Sequence, residues 1–173
     1  MSTSNNSMDA LRLVGTKVFQ NLNQIKVNAF IDFSKSQPSI RCYVEFHKKD
    51  ANGYCKVGAA KMTDYEFWGF VSGLEELIYT QNTDYSLYHS PKKAGFAGSD
   101  NTIHLNFANT NDYGPQYAIT FGNKEDKVSI YLAPFELKGF LRGVTRLAEE
   151  CDKALFSSQR KMDKTIRDQK QNA

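Results

Sequence analysis

One stretch of the chain occurs twice, and that repetition restricts the fold more than any other feature. Tyr65-Glu66-Phe67-Trp68-Gly69-Phe70-Val71-Ser72-Gly73-Leu74 returns downstream as Phe135-Glu136-Leu137-Lys138-Gly139-Phe140-Leu141-Arg142-Gly143-Val144. Both copies show the apolar spacing of an amphipathic helix: Phe67, Phe70, Val71, Leu74, Leu77 and Ile78 match Leu137, Phe140, Leu141, Val144, Leu147 and Ala148. A glycine inside a helix costs about 1 kcal/mol against alanine, so the matched pairs Gly69/Gly139 and Gly73/Gly143 call for a compensating reason. Gly73 and Gly143 flank the apolar stripe, which predicts close packing there, with the two helices against each other. Thr63 with Glu66 has the form of a capping box, and Pro134 suits a first helical turn.

Ahead of each helix the apolar residues alternate with a period of two, as half-buried strands require. The strands expected in the first unit are Ile25 to Phe33, Ile40 to His47 and Cys55 to Met62. In the second they are Thr102 to Ala108, Gln116 to Gly122 and Lys127 to Leu132. Further strands, more weakly marked, fall at Leu11 to Gln20 and Asp84 to His89. The fold class is therefore α+β: two tandem units, each an antiparallel β-meander followed by a helix. Residues 1–155 form one domain made of repeats at about 11–80 and 84–155. A unit of about 50 residues buries too little to stand alone, so the two should share a core about a pseudo-twofold axis.

A chain of 173 residues with 40% apolar residues suits one compact domain. No run approaches the roughly 18 to 20 apolar residues of a membrane span, and no membrane partner is expected. Met1 to Asp9 has neither the basic start nor the apolar core of a secretory leader. Cys42, Cys55 and Cys151 are odd in number and lack ligand spacing. They point to a reducing compartment: the cytoplasm, or a host's cytoplasm for a viral protein. The net charge of +3 comes from one place. Arg160, Lys161, Lys164, Arg167 and Lys170 outnumber Asp163 and Asp168 in residues 156–173, and the rest of the chain is balanced. That segment reads as a flexible, basic, polar tail, either a solvated end or an arm touching phosphates.

Strand alternation sends Ile25, Val27, Ala29, Ile31 and Phe33 inward, along with Ile40, Cys42, Val44 and Phe46 and their counterparts in the second unit. The opposite face holds Lys26, Asn28, Phe30 and Asp32; Arg41, Tyr43, Glu45 and His47; Lys61; and, in the second unit, His104, Asn106, Thr120, Lys127, Ser129 and Tyr131. Rings interleaved with cations and hydrogen-bonding groups are what a sheet needs to hold an unpaired nucleic-acid strand, because bases stack on rings and cations meet phosphates. The same residues also suit an ordinary solvated sheet or a subunit interface. The longest connection carries Lys92-Lys93-Ala94-Gly95-Phe96-Ala97-Gly98, readable as a phosphate and base clamp or as a solubilised glycine linker. The candidate binding set is Lys26, Phe30, Arg41, Tyr43, Lys56, Lys61, Lys92, Lys93, Phe96, Lys127 and Tyr131.

Catalytic signatures are missing. His47, His89 and His104 are scattered, and there is no phosphate loop, dinucleotide fingerprint or serine elbow. Asp32 and Glu45 are a conceivable Mg²⁺ pair, whereas Glu66 and Glu136 belong to helix starts. No metal, cofactor or enzymatic activity is expected.

The order of elements resembles the Whirly-like superfamily of single-stranded nucleic-acid binders, which includes the plant Whirly proteins, the PUR proteins and the transcriptional positive cofactor four. The likeness spans roughly Ile25 to Leu155. Its clearest local echo is Lys56-Val57-Gly58-Ala59-Ala60-Lys61, similar to the Lys/Gly/Ala-rich strand of Whirly proteins. The resemblance implies binding of single-stranded DNA or RNA across outward sheet faces in replication, recombination or transcription, with crossed sheets, helices between them, and homo-oligomers. The alternative is a structural or protein-interaction subunit whose sheet face is an oligomer interface.

Overall fold

The computed structural model describes residues 10–81, 85–89, 101–122 and 127–171. The first repeat contains β1 (Leu11–Gln20), β2 (Asn23–Asp32), β3 (Ser39–Asp50), β4 (Gly53–Met62) and α1 (Asp64–Thr80). The second contains β5 (Tyr85–His89), β6 (Asn101–Thr110), β7 (Gly114–Gly122), β8 (Lys127–Leu132) and α2 (Pro134–Gln171). Each repeat is a four-stranded antiparallel sheet whose strands lie side by side in chain order. Both weakly marked first strands are present.

Local chemistry sets the boundaries. Gly53 turns the β3–β4 hairpin with φ at 126°, and Gly114 opens β7 with φ at 68°; both conformations belong to glycine. The capping box forms as expected: the Thr63 hydroxyl accepts from the Glu66 backbone N–H, and the Glu66 carboxylate accepts from the Thr63 N–H at 2.8 Å. At the second helix Glu136 repeats half of this device, accepting from the Ala133 N–H at 2.7 Å.

The inward faces of both sheets and one side of each helix make a single apolar core that runs through both repeats. The helices are exchanged in their packing. α1 lies against β5 and β6 as well as β3 and β4, whereas α2 lies against β1 and β2 as well as β7 and β8. Such reciprocity is what a twofold relation between the repeats requires. The sheets also meet directly: the Phe121 ring of β7 stacks on Phe46 of β3 at 4.8 Å and 17°. Its edge fills the space over Gly58, where a Cβ would stand 2.4 Å from Phe121 Cε1.

Four expectations need correction. Phe33 does not point inward. β2 ends at Asp32, and Phe33 is exposed beneath the Arg12 guanidinium, 5.6 Å from its ring centroid. Gly143 does not serve contact with α1. A Cβ there would meet Lys17 Cε at 2.4 Å, so the bare position gives Lys17 a path past α2. The helices do touch, through Trp68, whose Nε1 donates to Asp152 at 3.2 Å. Asp32 and Asn28 lie on the outward face yet are buried, as described below. Finally, residues 156–171 are no separate tail, because α2 continues through them without a break. The helical stripe persists past the core as Cys151, Leu155, Ser158 and Met162, and Ser158 is still buried.

Candidate nucleic-acid interface

The outward face of the first sheet is a regular lattice of side chains fixed by strand register. Phe30 stands opposite Leu13 and Arg41; Tyr43 stands between Asn28 and Lys61; Lys26 faces Val18 and Glu45; His47 faces Gln24 and Lys56. The extra residue in β4 between Phe46 and His47 in this pairing is a bulge, which carries Lys56 to the outward side with Lys61.

The rings of Phe30 and Tyr43 meet edge to face, with centroids 5.7 Å apart at 88°. Lys61 Nζ lies 5.7 Å from the Tyr43 ring centroid. Arg41 forms an ion pair with Asp32, which is almost wholly covered. Burial pushes the Asp32 carboxyl up, but the Ser34 hydrogen bonds and the charges of Arg41 and Lys35 outweigh it and hold the group below its ordinary value. Glu45 behaves alike: desolvation is overcome by Lys56, bonded at 2.6 Å, and by His47. Asn28 is covered by Thr16, whose hydroxyl donates to its Oδ1 at 2.8 Å. The inner carboxylates and amide are thus satisfied within the lattice.

Cations outnumber carboxylates on this face, with Lys26, Arg41, Lys56 and Lys61 against Asp32 and Glu45. Desolvation lowers the Lys61 ammonium pKa, and the neighbouring Arg41 lowers it further against an opposing contribution from Asp32. Arg41 and Lys61 are therefore two like charges held near one another beside a pair of rings. His47 adds an unmet demand. Its Nε2 sits 3.5 Å from Glu45 Oε2 without hydrogen-bond alignment, and neither ring nitrogen has a hydrogen-bond partner.

The second sheet presents a different face. His104 and Ser86 are hydrogen-bonded at 2.8 Å, and the hydroxyls of Thr120 and Ser129 at 2.9 Å. Lys127 and Tyr131 sit at the two ends of β8, about 13 Å apart by strand rise, and do not join the Phe30–Tyr43 pair. Tyr131 instead lines a groove of about 530 Å³ with Asn21, Leu22, Asn23, Tyr113 and Gln116. In that groove Asn23 ties the repeats together by donating to the Ser129 carbonyl at 2.9 Å. The alternating period placed Lys127 and Tyr131 on the correct side of the sheet without saying how far apart they fall. Lys92, Lys93 and Phe96 lie outside the described residues.

No family model, curated protein or solved structure matches the chain. Among the described residues no group of three His, Cys, Asp or Glu side chains is placed to hold a metal ion, and no helix is long and apolar enough to cross a membrane. Cys42 and Cys151 are buried thiols. Desolvation raises both, Cys42 well above its usual value and Cys151 to about 12, which suits packing rather than nucleophilic work.

Two features escaped the alternating pattern. The exposed Leu13 and Val18 extend the lattice onto the edge strand β1, a position set by pairing register. The continuation of α2 places the basic residues after Phe156 on one helix. The signal for it was present in Lys153, Arg160, Lys164 and Arg167, which recur at helical spacing.

Proposed function

We propose that this protein is a non-enzymatic binder of single-stranded DNA or RNA, of Whirly-like architecture, which holds the unpaired strand across the outward face of the β1–β4 sheet. The observation that carries this reading is the cluster of Phe30, Tyr43, Arg41 and Lys61: two rings in edge-to-face contact, with Lys61 beside the Tyr43 ring and Arg41, ion-paired to Asp32, opposite Phe30. A phosphate meets the cations Arg41 and Lys61, and a base against Tyr43 or Phe30 adds stacking. Lys26 and Lys56 extend the electrostatic path toward the β3–β4 end. The two four-stranded meanders, each followed by a helix, support the Whirly-like reading, and with it a role in replication, recombination or transcription and assembly into a homo-oligomer.

A second reading has its own support. Leu13 is 53% exposed and Val18 42% exposed, toward the two ends of the edge strand that borders the same lattice. Those residues favour a structural or protein-interaction subunit in which another chain covers the face. Fluorescence anisotropy with an unpaired oligonucleotide and the matching duplex, over a salt series, separates the two. The first reading predicts tighter binding of the single strand, weakening as salt rises. Absence of binding at low salt, or an affinity indifferent to salt, supports the interface.

A further inference from the structure

A second cationic surface lies on the far side of the molecule. The inward faces of β1 and β2 are covered by the apolar side of α2, through Leu137, Phe140, Val144 and Leu147. The opposite side of α2 is exposed and points away from the ring lattice. From Lys153 onward it carries Lys153, Arg160, Lys161, Lys164 and Arg167, all exposed. Lys153 is engaged by Glu150 at 2.9 Å, so the ridge proper begins at Arg160. Arg160, Lys164 and Arg167 follow at the fourth and third residue, about 6 and 4.5 Å apart along the axis, with Lys161 adjacent to Arg160, and Lys153 to Arg167 covers about 21 Å. Phe156 is 59% exposed, and the Arg160 guanidinium lies over its ring, 4.9 Å from the centroid. That contact fixes the orientation of Arg160. An open groove of about 420 Å³ runs along Phe156, Ser157, Arg160, Lys161 and Lys164.

We infer that this ridge of α2 is a separate track for the phosphodiester backbone of a nucleic acid, one that needs no unpaired base. A row of cations along one continuous helix, outnumbering Asp163 and Asp168, complements a file of phosphates. An acidic protein partner fits less well, since the ridge lacks the cluster of apolar anchors that forms an interface core: its large exposed apolar side chains, Phe156 and Ile166, stand far apart along the helix. A lipid surface also fits less well. A helix lying on a membrane inserts a broad apolar side opposite its cations, and beyond Ser158 that side carries only Met162 and Ile166 among polar residues. Because the ring lattice and the ridge face in opposite directions, one chain holds two nucleic-acid segments at once. The inference shares its ligand class with the proposed function and uses none of its residues.

The test is binding of a blunt duplex oligonucleotide by the full chain between 50 and 200 mM salt. The wild type and the variant Arg160→Gln/Lys161→Gln/Lys164→Gln/Arg167→Gln are compared, with helicity checked by circular dichroism. Each neutralised phosphate contributes about 0.9 to the slope of log K against log salt, so four cations give a slope near −3.6 and about a hundredfold loss of affinity over that range. The variant should lose duplex binding, while Arg160→Lys/Arg167→Lys, which keeps the charge, should retain it within a few-fold. A wild-type slope shallower than about −1, or a folded glutamine variant that binds duplex as tightly as the wild type, overturns the ridge. Should the glutamine variant lose helicity, loss of duplex binding in the charge-retaining variant overturns it instead. Failure of the proposed function is read separately: Phe30→Leu and Tyr43→Leu would then leave single-strand affinity unchanged, whatever the duplex shows.

Discussion

Gly58→Ala probes the joint between the two repeats at one atom. A methyl group there would stand 2.4 Å from Phe121 Cε1 and 3.0 Å from its Cζ, about 1 Å inside ordinary carbon contact. The ring has nowhere to retreat. It is 8% exposed and stacked on Phe46, which is completely buried. Overpacking a core in this way costs about 1 to 3 kcal/mol, against which replacing a strand glycine by alanine returns about 0.5 to 1 kcal/mol of chain entropy. The net expectation is a loss of about 1 to 2 kcal/mol, or a fall in Tm of about 2 to 8 °C for a chain of this size. Urea denaturation of Gly58→Ala, Phe121→Ala and the double variant measures it. Phe121→Ala alone should cost about 3 to 5 kcal/mol, and the double variant should cost less than the sum by about 1 kcal/mol or more, since removing the ring removes the clash. Strict additivity, or a Gly58→Ala chain as stable as the wild type, would refute the account of how the sheets meet.

Further consequences concern acid stability and the start of α1. The Asp32 carboxyl is held below its ordinary value of 3.8 in the folded state, so its contribution is complete above that pH and is lost as pH falls through the lower folded value. Urea midpoints measured at about pH 6 and about pH 3 should therefore drop more in the wild type than in Asp32→Asn; an equal drop would sink the assignment. Thr63→Ala removes the hydroxyl half of the capping box and should cost about 1 kcal/mol in the same assay, with Thr63→Ser close to the wild type.

The strand order and the helix starts were legible because they depend on short-range rules: period two, glycine and asparagine turns, and Thr63 three residues before Glu66. The lattice of the first sheet followed from the same alternation, which put Phe30, Arg41, Tyr43 and Lys61 on one face. Alternation gives a side but not its cover. Asp32 and Asn28 were placed outward, yet each is closed over by a neighbour, Arg41 and Thr16 respectively, whose reach depends on diagonal and cross-strand register. Phe33 fell outside the pattern because Asp32 turns back to accept from the Ser34 N–H at 2.8 Å, which ends the strand one residue early. Gly143 was read as a helix contact because the sequence cannot show that a lysine from β1 crosses there. The continuation of α2 was obscured by its composition: polar residues dominate after Phe156, but Ser158 and Met162 maintain the stripe that packing uses.

Affinity for an unpaired oligonucleotide at one fixed salt concentration, measured for the wild type, Tyr43→Leu and Tyr131→Leu, tests the central claim most directly. Base stacking on a ring is worth about 1 to 3 kcal/mol, so Tyr43→Leu should weaken binding by about 5- to 150-fold. Tyr131→Leu, on the other sheet and away from the Arg41–Lys61 pair, should leave it within about twofold. A Tyr43→Leu chain that binds like the wild type, or a larger loss at Tyr131, would contradict the assignment of the strand to the first sheet.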